Sequence, residues 1–254
     1  MTRLSPQRRR LIAPALLGLV LLAVWALAAA AASPVLLPGP GGVLARIVDD
    51  ALSGALWPYL AVTLGEALGG CLLGAVVALP LAVAIHRSAW ISDAVQPFLG
   101  ATQAIPAIAL APLLVLWIGY GLMPVMLLCA LIVFFPILVS AVVGLRMVPR
   151  EVVDAARIDG AGSFGLLRHV EAPLALPSLL GGFKNGFALS VTGAVVGEMV
   201  MGGSGLGTVL TVQRDAVDTT GMFATIAWLC LIAAGAYSLI TWWERRSAIV
   251  ESLT

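Results

Sequence analysis

Long apolar blocks alternate with short polar joints along this chain. Residues 11–32, 57–85, 97–117, 122–145, 174–200 and 222–243 each form such a block. Each reaches or exceeds the roughly 20 residues that a helix needs to cross a hydrocarbon layer. That length favours helices over strands and is too great for the core helices of a soluble domain. The pattern predicts an all-α fold, a polytopic membrane bundle of six transmembrane helices. It reads as a single transmembrane domain over 1–254, because no internal repeat, linker or low-complexity tract divides it. The first block follows Arg8-Arg9-Arg10 and ends in Ala30-Ala31-Ala32, as a signal peptide does. Its 22 residues exceed the about 7–15 of a cleavable apolar region, so it is expected to be retained as a span. Residues 33–56 carry Pro34, Pro38 and Pro40 and predict a loop with a short amphipathic helix at the outer surface.

The longest polar passage between blocks is 146–173. Arg150, Arg157 and Arg168 alternate there with Glu151, Asp154, Asp159 and Glu171. Val152, Ala155, Ala156 and Ile158 fit one face of a short helix. Gly160 ends that helix by taking φ > 0, and Ser163 is placed to cap a second one carrying Phe164 and Leu167. Two short amphipathic helices broken at a glycine make a docking knob, which a passive connector would not need.

Charge orients the bundle. Six spans place the N-terminus, residues 86–94, the loop 146–173 and the C-terminus on one side. That side holds eleven arginines, against Arg46 and Arg214 on the other. The excess puts both termini and the docking loop in the cytoplasm. Composition agrees with a membrane protein: 61% hydrophobic, 11% charged, net charge +1 and mean hydropathy +1.05, where soluble domains carry about 25% charged residues. Cys71, Cys129 and Cys230 each lie in an apolar block without C-x-x-C spacing and read as small buried hydrophobes, neither disulfides nor metal ligands. His86 and His169 sit beside arginines and read as solvated.

The polar loop resembles the EAA loop of ABC importer permeases. Asp154-Ala155-Ala156, three residues, Gly160, nine residues and then Val170-Glu171-Ala172-Pro173 keep that motif's spacing. The family form is Glu-Ala-Ala, three residues, Gly, nine residues, Ile-x-Leu-Pro; Asp154, Val170 and Ala172 depart from it. Pro97–Gly121 is similar to the third-span signature of the nitrate/taurine/sulfonate branch. Val195-Val196-Gly197-Glu198-Met199, followed by Ser204-Gly205-Leu206-Gly207, resembles the same branch past the loop. The likeness spans roughly residues 55–246. Within the branch, Thr63-Leu64-Gly65-Glu66-Ala67, Thr102-Gln103 and Val133-Phe134-Phe135-Pro136 look most like permeases for thiamine precursors and riboflavin, whereas sulfonate permeases usually carry arginine near the position of Gln103.

The resemblance implies a permease subunit of an ATP-driven importer in the cytoplasmic (inner) membrane of a prokaryote. Its implied partners are a dimer of ABC ATPase subunits, a second permease copy and an extracytoplasmic substrate-binding protein, with no nucleic acid. Asp154, Ala155, Ala156, Gly160, Phe164, Leu167 and Pro173 would form the surface that couples to the ATPase. No G-x-x-x-x-G-K-[ST] loop occurs in the sequence, so this chain is expected to be non-catalytic and to bind no cofactor or metal. ATP and Mg would belong to the partner ATPase.

Three ionisable residues fall inside spans: Glu66, Lys184 and Glu198. A charge at mid-bilayer costs at least about 2.5–3.5 kcal/mol, so each is expected to face the bundle or a wet path. They are the translocation-pathway candidates, with intramembrane ion pairs as the alternative role. Thr102 and Gln103, before the Ile105-Pro106 break, are neutral candidates for the same path. An ion-coupled secondary transporter is the alternative function. It predicts paired carboxylates at mid-membrane and inverted repeats, whereas Glu66 and Glu198 read as separate and no repeat is evident. An intramembrane enzyme lacks a Ser/His or His/Glu constellation within a span.

Overall fold

A computed structural model describes residues 6–103 and 106–246, with side chains described over 12–98, 106–242 and at 246. Its helices are α1 (Pro6–Ala31), α2 (Pro40–Ser53), α3 (Trp57–Arg87), α4 (Ala89–Gln103), α5 (Ala111–Ile118) and α6 (Leu122–Arg146). They continue with α7 (Arg150–Ile158), α8 (Ser163–Leu166), α9 (Ala172–Met201), α10 (Leu206–Asp215) and α11 (Thr219–Arg246). A 3-10 turn, Ala107–Leu110, precedes α5, and a π turn, Leu167–Glu171, joins α8 to α9.

Among the described residues, five helical runs are long and apolar enough to cross a membrane: Ile12–Ala31, Trp57–Arg87, Leu122–Arg146, Ser163–Met201 and Thr219–Trp242. The block at 97–117, expected as the third span with a break at Ile105-Pro106, is two pieces, α4 and α5. Pro106 sits between them in an extended conformation. A proline lacks the N–H that would continue the ladder and disfavours helical geometry in the residue before it.

The chain sorts into two compact units, one of Trp57–Thr208 with Leu229–Thr254, the other of Met1–Leu56 with Val209–Trp228. The larger is built on α3, α6 and α9. A Cβ on Gly74 would lie 2.6 Å from Val133 Cγ2 and 3.0 Å from the Ala130 carbonyl, so the G-x-x-x-G of α3 is where α6 packs. Side-chain hydroxyls tie the same helices together. Ser190 Oγ donates to the Ala67 carbonyl at 2.7 Å, and Ser178 Oγ to the Ser140 carbonyl at 3.0 Å. On the opposite side of α3, Leu68, Leu72 and Val76 are exposed at helical spacing, a surface suited to lipid.

In the smaller unit the amphipathic helix expected after the first span is α2. Trp25 Nε1 donates to the Pro38 carbonyl at 3.1 Å, and its ring stacks on Phe223 at 6.0 Å. Arg46 binds Asp50 at 3.1 Å and Asp218 at 3.3 Å. Burial opposes the Arg46 charge, but Asp50, Asp218 and Asp49 outweigh it and hold the guanidinium above its usual pKa. Cys71 and Cys129 are buried as expected; Cys230 is exposed, a correction to its reading as a buried hydrophobe. Its position on α11 is apolar by sequence, and an apolar block does not say which of its faces is covered.

Candidate functional site

Most of the functional candidates gather near the two ends of one helical run, Ser163–Met201. At the arginine-rich end, α7 is a nine-residue helix and Gly160 follows it with φ +89. The expected glycine stop is therefore present, in a conformation that L side chains rarely adopt. Beyond it the structure departs from two separate knob helices. Gly162, not Ser163, is the N-cap residue of α8, and no side-chain cap hydrogen bond forms there. α8 then runs through the π turn into α9 and is the first turn of a membrane-length helix. Sequence suggested a separate short helix because 163–171 is polar. The backbone continues regardless: Pro173 lies inside the run, and the π turn at Leu167–Glu171 directly before it is where the ladder accommodates its missing N–H.

Ala155 and Asp154 are exposed and Ala156 is half-buried. Val153 and Ala156 form the covered side of α7, leaving Val152 and Ile158 outward. Asp154 is bound by Arg157 at 3.2 Å. Ile158 is 86% and Phe164 72% exposed, two large apolar side chains on either side of Gly160. Leu167 is half-buried, and Leu166 is the residue that α8 buries.

A buried ion pair ties this region to the bundle. Glu171, 2% exposed, accepts from Arg87 Nη2 at 2.6 Å, and His86 Nε2 lies 3.5 Å from its other oxygen. Arg87 also donates to the Ser163 carbonyl at 3.0 Å. Sequence reading missed this triad and took His86 as solvated. The available signal was the His86-Arg87 pair that closes α3, opposite the one carboxylate next to the α9 proline. His169 is exposed and contacts the Gly165 carbonyl. A polar cavity of about 710 Å³ lies beside the triad, lined by Arg87, Ser92, Arg146, Arg150, Asp154 and Glu171 among others.

At the glycine-rich end the expectation that Glu66 and Glu198 stand apart is overturned. Both are 1% exposed, and Thr63, one turn before Glu66 on α3, reaches Glu198. Helical phase explains it. Glu66 lies on the α3 face that also carries the buried Thr63 and Gly70, and Glu198 lies on the α9 face that carries Ala194 and Met201. Glu198 Oε1 accepts from Thr63 Oγ1 at 2.7 Å, and Glu198 Oε2 accepts from the Gly207 N–H. Thr63 Oγ1 in turn accepts from the Leu206 N–H at 2.8 Å. The glycine cluster 202–207 is a turn that opens into α10, a helix that the hydrophobic pattern does not announce. A Cβ on Gly205 or Gly207 would run into the Glu198 carboxyl group, so these glycines let the backbone close over it.

Lys184 joins neither end. It lies half-way along α9 with Nζ 5.5 Å from the centre of the Tyr237 ring, a cation–π arrangement. Thr102 and Gln103 close α4, and their side chains lie outside the described residues. Among the described residues no group of three or more His, Cys, Asp or Glu is placed to hold a metal.

Comparison with known proteins gives a consistent result. Residues 70–248 match the family model for the binding-protein-dependent transport system inner membrane component. The riboflavin transport system permease protein RibX of Chloroflexus aurantiacus is 44% identical over 210 residues, covering 83% of this chain and 78% of that protein. The formylaminopyrimidine transport permease protein ThiX of Halalkalibacterium halodurans is 34% identical, with 89% and 91% covered. A chain of the inward-facing MetNI methionine ABC transporter superposes with a TM-score of 0.68 at 21% identity, covering 81% of this chain and 99% of that one. That likeness concerns the fold.

Proposed function

We propose a mechanism from one premise: the chain belongs to the family of binding-protein-dependent transport system inner membrane components. It is a permease subunit of an ABC importer and a multi-pass membrane protein. The carboxyl pair met one expectation of an ion-coupled secondary transporter, but family membership excludes that alternative. In our reading two copies pair, each docks one subunit of an ATPase dimer, and a binding protein delivers solute from outside. The arginine-rich end, with both termini, faces the cytoplasm. ATP and Mg act in the partner, and this chain supplies the path.

The observation that carries the coupling role is the pair Ile158 and Phe164. Two large apolar side chains exposed around a glycine hinge, where a membrane-length helix begins, suit insertion into a groove on the ATPase. Closure of the ATPase dimer on ATP would draw the two docking turns together and tilt α9 with them, switching access from one side to the other. Asp154, Ala155, Ala156, Leu167 and Pro173 shape that turn. Lys184 borders the path from α9, with Thr102 and Gln103 as its neutral lining and Glu198 at its outer end. The riboflavin and formylaminopyrimidine relatives support a small heteroaromatic solute.

The test is co-purification with the partner ABC ATPase subunit. The wild-type chain in detergent should retain it, and Phe164→Asp should lose it while keeping its own melting temperature. Equal retention by the variant would overturn the docking role.

A further inference from the structure

The cavity at the arginine-rich end gathers more guanidinium than its own carboxylates answer. Arg87 closes α3, Arg146 closes α6, and Arg150 and Arg157 stand on α7; all four line it. Like charges around one space repel, and anions lying between them relieve the repulsion. Two anions come from the chain itself: Glu171 takes Arg87 at 2.6 Å, with His86 beside it, and Asp154 takes Arg157 at 3.2 Å. Arg146 reaches only a neutral group, the Ser92 hydroxyl, at 3.1 Å. Among the described residues the Arg150 side chain has no partner. The remaining carboxylate of the lining, Asp93, forms no ion pair either, and one guanidinium stays in excess. The cavity lies where two spans end, at Arg87 and Arg146. Trp90, in the first turn of α4, is 79% exposed there, and tryptophan favours the headgroup level of a bilayer. Ile85, Leu145 and Val148 add apolar wall to the same cavity.

We propose that this cavity binds a singly charged phosphate group, gripped by Arg146 and Arg150. A guanidinium fork matches two phosphate oxygens, and one negative charge balances the excess. The phosphodiester of an acidic lipid and free phosphate share that chemistry; the position at the span ends makes the lipid its source. The two arginines flank Met147, Val148 and Pro149, the joint between α6 and α7. A phosphate held by both clamps α7 to the end of its span, so that the docking turn and the bundle move together. The permease reading uses neither arginine, and this site goes beyond it.

The experiment takes the permease in detergent with its ATPase subunits, freed of lipid. Its melting temperature is read with dihexanoyl phosphatidylglycerol, dihexanoyl phosphatidylcholine or inorganic phosphate at matched concentrations. A ligand that binds the folded state raises that temperature. Phosphatidylglycerol should raise it by several degrees and saturate, while phosphatidylcholine leaves it near its starting value. The rise should be lost in the double variant Arg146→Gln, Arg150→Gln and partly kept in Arg150→Lys, which retains the charge without the fork. Should the double variant fail to fold, Arg150→Gln alone carries the test, because it breaks no contact. No rise, an equal rise with phosphatidylcholine, or an undiminished rise in the variants would overturn the site. A rise with inorganic phosphate as large as that with phosphatidylglycerol would overturn the lipid as its source. Loss of the ATPase from the variants, with no effect of lipid on the wild type, would assign these arginines to the ATPase instead. Each of these results leaves the permease reading standing.

Discussion

The run Ser163–Met201 carries a buried glutamate near each end, and the two are stabilised in opposite ways. Glu171 lies against a guanidinium and an imidazole. Glu198 lies against a hydroxyl, a backbone N–H and another carboxyl group. At 1.5 Å per residue they are about 40 Å apart along the helix. A buried ion pair resists separation because either partner left alone is an uncompensated charge. A carboxyl held by one hydroxyl and one glycine N–H has weaker bonds, which form and break as the turn moves. The difference separates an end that must move as one body with its helix from an end that must open.

Breaking the inner pair should have the largest effect. Arg87→Ala leaves Glu171 buried without its guanidinium and should cost about 3–5 kcal/mol. Glu171→Gln should cost less, because Arg87 is 29% exposed and water can take over. Thermal unfolding of the two variants in detergent checks the order, and equal losses would mean that the pair is not the anchor. Next comes the outer cradle. Gly207→Ala puts a methyl group against Glu198 and the Val195 carbonyl, at about 1–3 kcal/mol of overpacking. Transport should fall while the ATPase remains bound, measured by uptake and co-purification on one preparation. Gly160→Val should move stability least. Its strain of about 1–3 kcal/mol is relieved by local rearrangement in an exposed turn that supports no core. The variant should fold and melt as wild type does, yet fail in ATPase-coupled transport. Normal transport would show that the left-handed glycine is dispensable to coupling.

How much of this the sequence disclosed depends on the range of the interaction concerned. Hydrophobic block length is a local property, and it located the long helices to within a few residues. The glycine stop at 160 was legible for the same reason: one residue type is tolerant of its φ. Glu66 with Glu198 was not, since 132 positions of sequence separate them and only the packing of α3 against α9 aligns the two faces. The bond from Arg87 to Glu171 depends in the same way on how the end of α3 meets the start of α9. The helical continuity of 163–201 was hidden because polarity marks exposure, and exposure is not the same thing as an interrupted backbone.

That continuity has a mechanical consequence. Thirty-nine residues make a lever about 58 Å long, with its fulcrum in the middle where α9 packs on α6. A tilt of about 10° about that point would swing each tip by about 5 Å in opposite senses. Five ångströms is ample to strip the Gly207 N–H from Glu198, so a modest push on the docking turn would release the far end without unwinding a single turn of helix.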